Sequence, residues 1–189
     1  NGATGSPLSR FNATSGSTIT VNLSGISSSA QSLARTALTL WSDASGLNFS
    51  EVFSGGQIVF QNTEPGAFAR STTSGGFTQT ATVNISSTWL TQYGTGLNSY
   101  SFQTFVHEIG HALGLKHPFD AGSSNITLNT AIDDGDHSVM SYTGARNNFL
   151  GTLDIPAIQS LYGTPTNAPH SATWAWNAAG QTFTSYGAG

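Results

Sequence analysis

The sequence predicts an α+β chain, on three observations. Short stretches that alternate apolar and polar residues recur through the first half, as in STITVNL at 17–23 and TATVNI at 80–85. That is the period of a strand with one buried face. Two longer stretches, within 27–44 and 102–113, place their apolar residues at helical spacing instead. Beyond residue 117 the texture turns irregular, with Pro118, Gly122, Gly135 and several Asp and Asn across 118–139, before one last helical repeat.

In order, residues 1–16 are rich in Gly, Ser, Thr and Asn with few apolar anchors, and read as extended. Ser17 to Leu23 is a strand. Ser27 to Ala44 is a helix, with Leu33, Ala37, Leu40 and Trp41 on its apolar side. Ser27 to Ser29 supply its N-caps and Gly46 stops it. LNFSEVF at 47–53 and QIVFQ at 57–61 are the next two strands, and Pro65-Gly66 marks a turn. Ala67-Phe68-Ala69-Arg70 is a short piece before a Ser/Thr/Gly loop at 71–76, and Thr80 to Ile85 is a strand. Trp89 to Asn98 connects into a helix capped by Ser99 or Ser101, whose Phe102, Phe105, Val106, Ile109 and Leu113 share one side. Asp154 reads as the N-cap of a last helix, with Pro156 in its first turn and Ala157, Ile158, Leu161 and Tyr162 at helical spacing. Gly163 ends it. In the tail 164–189, Trp174 and Trp176 alternate, Asn177 to Gly180 offers turn chemistry, and Phe183 and Tyr186 follow, which fits an aromatic hairpin or a linker.

The chemistry concentrates in His107-Glu108-Ile109-Gly110-His111-Ala112-Leu113-Gly114-Leu115-Lys116-His117. His107 and His111 lie four apart, so both imidazoles leave one helix face, a turn apart. Neutral imidazole suits Zn²⁺, and Glu108 can reach a metal-bound water without being a ligand. Gly114 can take positive φ, end the helix and let the chain return His117 as a third ligand. Three protein nitrogens leave one position open, the pattern of catalytic and not structural zinc. The competing reading is an amphipathic helix with incidental histidines. With five His, three Glu and 22 Gly in 189 residues, those five positions would match by chance on the order of once in 10⁵ such chains, which favours the metal.

HExxHxxGxxH resembles the metzincin zinc endopeptidases, and Pro118 after the third histidine resembles the serralysin branch. The order of elements, the segment QSLARTALTLWSDASGLNFSEV and the closing LDIPAIQSLYG are similar to serralysin catalytic domains as well. The resemblance implies a zincin-like two-lobed catalytic domain over 1–163, the upper lobe to about 116 and the lower from 117. It implies a twisted, mostly parallel five-stranded sheet with an antiparallel edge strand, plus three helices. Ala67, Phe68, Ala69 and Arg70 would be that edge strand, binding substrate along the cleft.

Ser138-Val139-Met140-Ser141-Tyr142 holds the single methionine. By itself it reads as a core filler on a short strand. By the resemblance it is the turn beneath the metal, with Met140 as the floor and Tyr142 as a phenol that ligates zinc or hydrogen-bonds a developing oxyanion. Asp133, Asp134 and Asp136 crowd one loop and read as a solvated acidic turn sooner than a calcium site; His137 and His170 lack partners at metal spacing. Arg70 meets substrate or solvent, and both stay open.

Composition bounds the rest. Charged residues are 7% and the net charge is −4, with one lysine and four arginines and no basic cluster. Nucleic acid and anionic membrane surfaces are not expected partners. There is no cysteine, hence no disulfide and no thiolate metal site. No apolar run reaches a membrane span and no signal peptide opens the chain, which reads as a mature or trimmed form. The G-G-x-G-x-D-x-U-x repeat of a calcium-binding β-roll is not matched, so calcium is not implied. The chain is then a fragment of something longer or a compact member without those repeats.

The expected protein is a secreted, monomeric zinc endopeptidase with one Zn²⁺ per chain, protein or peptide substrates and a protein inhibitor as a further partner. Glu108 is its general base. Two alternatives stand beside it: a non-catalytic zinc-containing binding module, and an astacin- or matrixin-like metzincin. Glu108 weighs against the first. Pro118, SVMSY and the absent cysteines weigh against the second.

Overall fold

In the computed structural model the described residues are 9–120, 127–144 and 148–165, with the backbone of 173–177 and 182–186. The first half builds one sheet from β1 (Arg10–Phe11), β2 (Thr18–Gly25), β3 (Asn48–Glu51), β4 (Ile58–Gln61), β5 (Ala67–Ser74) and β6 (Phe77–Ile85). Its order is β1-β6-β4-β2-β3, with all those neighbours parallel, and β5 pairs β6 antiparallel. Because β5 follows the full length of β6, β1 and β4 share the other edge of β6, and the far side of β5 is left without a strand neighbour among the described residues.

The parallel crossover is made by α1 (Ser28–Ser45), a helix started by Ser27, whose hydroxyl accepts from the Ala30 amide, and ended by Gly46 at φ 71°. Its Leu33, Ala37, Leu40 and Trp41 are buried, as the spacing predicts. They meet Ile19, Val21, Ile58, Phe60, Ala81 and Val83 of the sheet in one core with Phe102, Phe105, Val106 and Ile109 of α3 (Tyr100–Ala112). Phe60 and Phe105 stack at 6.4 Å between ring centroids. Each such side chain fully removed from water contributes about 1.5–3 kcal/mol, so α3 is fixed by its apolar face and its other face is free for polar groups.

Several elements differ from expectation. Among the described residues the sheet has six strands, not five, because Phe11 is buried and Arg10–Phe11 pairs with Phe77–Thr78. A two-residue strand has no period to read. The described residues hold four helices, not three: α2 (Ser87–Tyr93) occupies the predicted connection, capped by Ser86, with Trp89 packed on Tyr93 and Tyr100. Seven residues with no fully buried side chain carry too weak a pattern. β5 runs on to Ser74, since its pairing with β6 and not burial holds it. Asp154 is not an N-cap. Helix α4 (Asp154–Tyr162) starts after Leu153 with no side-chain cap, and Asp154 is buried on other business.

Tyr162 of α4 ties the ends together. Its hydroxyl donates to the Leu113 carbonyl at the end of α3 (2.7 Å) and accepts from the Phe11 amide (3.1 Å). In the tail, β7 (Thr173–Asn177) and β8 (Thr182–Tyr186) pair antiparallel as a two-stranded sheet. The turn at 178–180, the aromatic side chains of the tail and His170 lie outside the described residues.

Candidate active site

Helix α3 starts on Ser99, whose hydroxyl accepts from the Phe102 amide, one of the two caps expected. It lays His107, Glu108 and His111 on the floor of a cleft beneath β5. Gly114 follows at φ 108°, and a Cβ there would collide with the Ser9 carbonyl oxygen. The helix therefore ends on a glycine for two reasons, and the chain turns back to bring His117 to the other two histidines. The ring centroids lie 4.4 to 5.3 Å apart, and one ligand nitrogen from each falls within 4.8 Å of the others.

Each imidazole is oriented through Nδ1. His107 Nδ1 lies 2.8 Å from the Val139 carbonyl, His111 Nδ1 2.8 Å from the Leu115 carbonyl, and His117 Nδ1 2.9 Å from Asp120 Oδ2. Carbonyls and carboxylates only accept, so all three rings carry their proton on Nδ1 and present a bare lone pair at Nε2. His107 Nε2 is buried without a partner, and His111 Nε2 and His117 Nε2 face each other at 3.0 Å. Lone pairs brought together in this way suit a cation that accepts all three, and all-nitrogen donors suit zinc. Burial, and then neighbouring imidazoles, favour the neutral form of the two helix histidines: His107 is lowered to about 4 and His111 to about 3.

Glu108 is buried beside them, and that burial pushes its carboxyl up to about 7 against a hydrogen bond from the Ala69 backbone on β5. A carboxyl near neutrality can both take and return a proton. Tyr142 is 70% exposed, with its ring stacked 5.4 Å from His107 and tilted 4.6 Å from His117. Desolvation first, and then Glu108, raise its phenol above the ordinary value.

Met140 is buried against the helix. A Cβ on Gly110 would sit 2.7 Å from Met140 Sδ and 2.9 Å from Trp41 Cζ2, so the glycine admits both side chains against the backbone between the two histidines. Trp41 Nε1 also donates to the Val106 carbonyl (2.9 Å). Asp154 holds the turn itself: it accepts from Ser138 Oγ (2.6 Å), the Val139 amide (2.7 Å) and the Gly151 amide (2.7 Å). Gly110, Trp41, Asp120 and Asp154 were not singled out for the site from sequence. Only Asp154, an acid at the head of an apolar helix, carried a signal, and it pointed to capping.

Two other acidic residues of the loop, Asp133 and Asp134, serve it internally. Asp133 accepts from Ser141 Oγ (2.7 Å), and Asp134 faces His137 Nδ1 (2.7 Å), whose bond holds its carboxyl below the usual range. Among the described residues, the three histidines are the one group of three or more metal-ligating side chains close enough to share an ion. Arg70 pairs with Glu64 (3.1 Å) and lies over the Phe68 ring at 3.9 Å, on the edge strand. Ala67, Phe68 and Ala69 lie along the same strand, half-buried.

The chain is similar to known proteins in sequence and in fold. Residues 10–150 match the profile Reprolysin_5, metallo-peptidase family M12. The metallopeptidase AprA of Pseudomonas marginalis is 37% identical over 187 residues, covering 82% of this chain and 39% of that protein. Serralysin C of Dickeya chrysanthemi is 43% identical over 83 residues, 36% of this chain and 17% of that one. The chain thus spans about two fifths of the length of AprA. The structure of myroilysin superposes with a TM-score of 0.58 at 22% identity, covering 88% of this chain and 86% of that one, a likeness of fold.

Proposed function

This chain belongs to the metallo-peptidase family M12, and from that premise we propose that it is a zinc-dependent endopeptidase acting on proteins. The observation that carries the reading is the convergence of three Nδ1-anchored imidazoles beside a buried glutamate whose carboxyl sits near 7. His107, His111 and His117 hold the ion. Zinc, when bound, supplies a Lewis acid that polarises the scissile carbonyl and lowers the pKa of water.

The chain's own residues do the rest. Glu108 removes a proton from the attacking water, holds it in a site that favours the neutral carboxyl, and delivers it to the departing amine nitrogen. Tyr142 donates a hydrogen bond from its phenolic O–H to the carbonyl oxygen as that oxygen gains charge, and keeps its proton. The substrate adds as an antiparallel strand to the free edge of β5, at Ala67 to Arg70, through main-chain hydrogen bonds that tolerate many sequences. Such a strand has its N-terminal end by Thr73 and its C-terminal end by Ala67. The residue after the scissile bond then faces a cavity of about 280 Å³ lined by Trp89, Tyr100 and Thr104.

One zinc per chain, a 1–163 catalytic unit divided near 116–117, a monomeric state, secretion and a protein inhibitor belong to the same reading and rest on the resemblance to serralysins. Among the described residues no helix is long and apolar enough to cross a membrane. The experiment is caseinolysis with parallel metal analysis. Wild type is expected to carry zinc and cleave, while Glu108→Ala retains zinc and loses cleavage. A wild type that binds zinc without cleaving, or a Glu108→Ala that cleaves normally, overturns the proposal.

A further inference from the structure

The three histidines are not held alike. His107 and His111 are fixed on a helix and donate to neutral backbone carbonyls, whereas His117 stands on a loop and donates to the carboxylate of Asp120. Asp120 does more than meet the ring. Its Oδ2 also accepts from the His117 backbone amide (3.3 Å), and its own amide donates to the His117 carbonyl (3.1 Å), so residues 117 and 120 close a turn reciprocally. On one face the imidazole is covered by Phe119, parallel within 6° at 4.8 Å. The third ring thus has its plane set by Phe119 and its rotation set by Asp120.

Resting on the reading above, we propose that Asp120 is a positioning residue for the metal, the anionic partner that orients His117 and strengthens it as a donor. Two physical effects point the same way. A loop histidine free to rotate must be ordered on binding, and a partner that orders it beforehand lowers that cost. An acceptor carrying full negative charge polarises the Nδ1–H bond, making Nε2 the better donor, and it places a negative charge near a divalent cation whose three ligands are all neutral. Removing such a partner costs about 10–100-fold in metal affinity. Asp120 lies on the surface of the turn, its side chain 46% exposed, so its substitution leaves the core intact.

The test is zinc affinity of metal-free full chain, measured by competition against a chromogenic chelator at fixed neutral pH, with circular dichroism as the check on folding. Asp120→Ala is expected to weaken zinc about 10–100-fold and to speed its release. Asp120→Asn, which keeps an acceptor and loses the charge, falls between it and wild type. His117→Ala separates the two levels of the argument. If it binds zinc as tightly as wild type, His117 is not a ligand and the underlying reading fails. If His117→Ala loses tight binding while both Asp120 variants bind like wild type, the ligand stands and the role of Asp120 is refuted. Should Asp120→Ala fail to fold, Asp120→Asn decides alone, and unchanged affinity in it overturns the proposal.

Discussion

Tyr142 sits with one ring face toward His107 and its edge near His117, yet most of its surface is in solvent. A side chain held so loosely is free to move between the imidazoles and a substrate oxygen. If its phenol acts on the oxygen only as charge develops, the interaction belongs to the transition state and appears in kcat. Tyr142→Phe is therefore expected to lower kcat by about 10²–10³, the usual cost of one such donor, with KM nearly unchanged and zinc retained. Steady-state kinetics on a peptide substrate checks it, and a wild-type kcat rules the role out. Gly110 is a second residue whose smallness has a purpose. Gly110→Ala drives a methyl group toward Met140 Sδ and Trp41, and overpacking of that kind costs about 1–3 kcal/mol. A lower unfolding midpoint is expected; an unchanged one would show that the two side chains can withdraw.

At the scale of elements, the turn under the metal is fastened to α4 by a single buried carboxylate. Asp154 takes two backbone amides and a hydroxyl, and the Val139 carbonyl on the same peptide segment orients His107. Asp154→Ala leaves the Val139 and Gly151 amides buried and unpaired, at about 1–3 kcal/mol each. Chemical denaturation should show a loss of that order, with less in Ser138→Ala, which leaves one buried amide, that of Met140, unpaired. Equal stability of Asp154→Ala and wild type would mean that water replaces the carboxylate. This linkage is one that no local pattern in the sequence encodes. The helix of the zinc motif was legible because its apolar residues and its histidines each follow a local period on opposite faces. Ser99 and Gly46 were legible because caps act on their own helix. Asp154 looked like a cap by the same local logic, but two of its three partners lie 15 and 16 residues upstream, and no spacing rule reports a contact between a loop and a later helix. The strand Arg10–Phe11 and the helix Ser87–Tyr93 escaped for a related reason: both are shorter than one full repeat of any pattern.

Across the whole molecule, the buried site couples metal, protons and stability. In chelator-treated protein the groups at the site pull in opposite directions. His107 and His111, lowered from 6.5 to about 4 and about 3 by burial, contribute stability that is full above 6.5 and lost as pH falls through those folded values. Glu108, raised from 4.5 to about 7 by burial, contributes stability that is full below 4.5 and lost as pH rises through about 7. Near pH 7 these changes nearly cancel. Between about pH 6 and 4 two histidines outweigh one glutamate by roughly one proton, a slope of about 1.4 kcal/mol per pH unit. The metal-free protein should accordingly vary little in stability around neutrality from these groups and lose it steeply in acid. Glu108→Gln removes the opposing contribution, so its thermal midpoint should fall relative to that of wild type as pH drops from 7 to 4.5, with both proteins metal-free. Zinc changes the balance, because a bound ion keeps the imidazoles neutral and acid must then expel it to protonate them. The loaded protein is expected to hold its midpoint into mild acid and then lose stability and zinc together. Parallel midpoints for metal-free wild type and Glu108→Gln across pH 7 to 4.5 would show that Glu108 titrates as an ordinary surface carboxylate, and its assignment as the proton carrier would lose its physical basis.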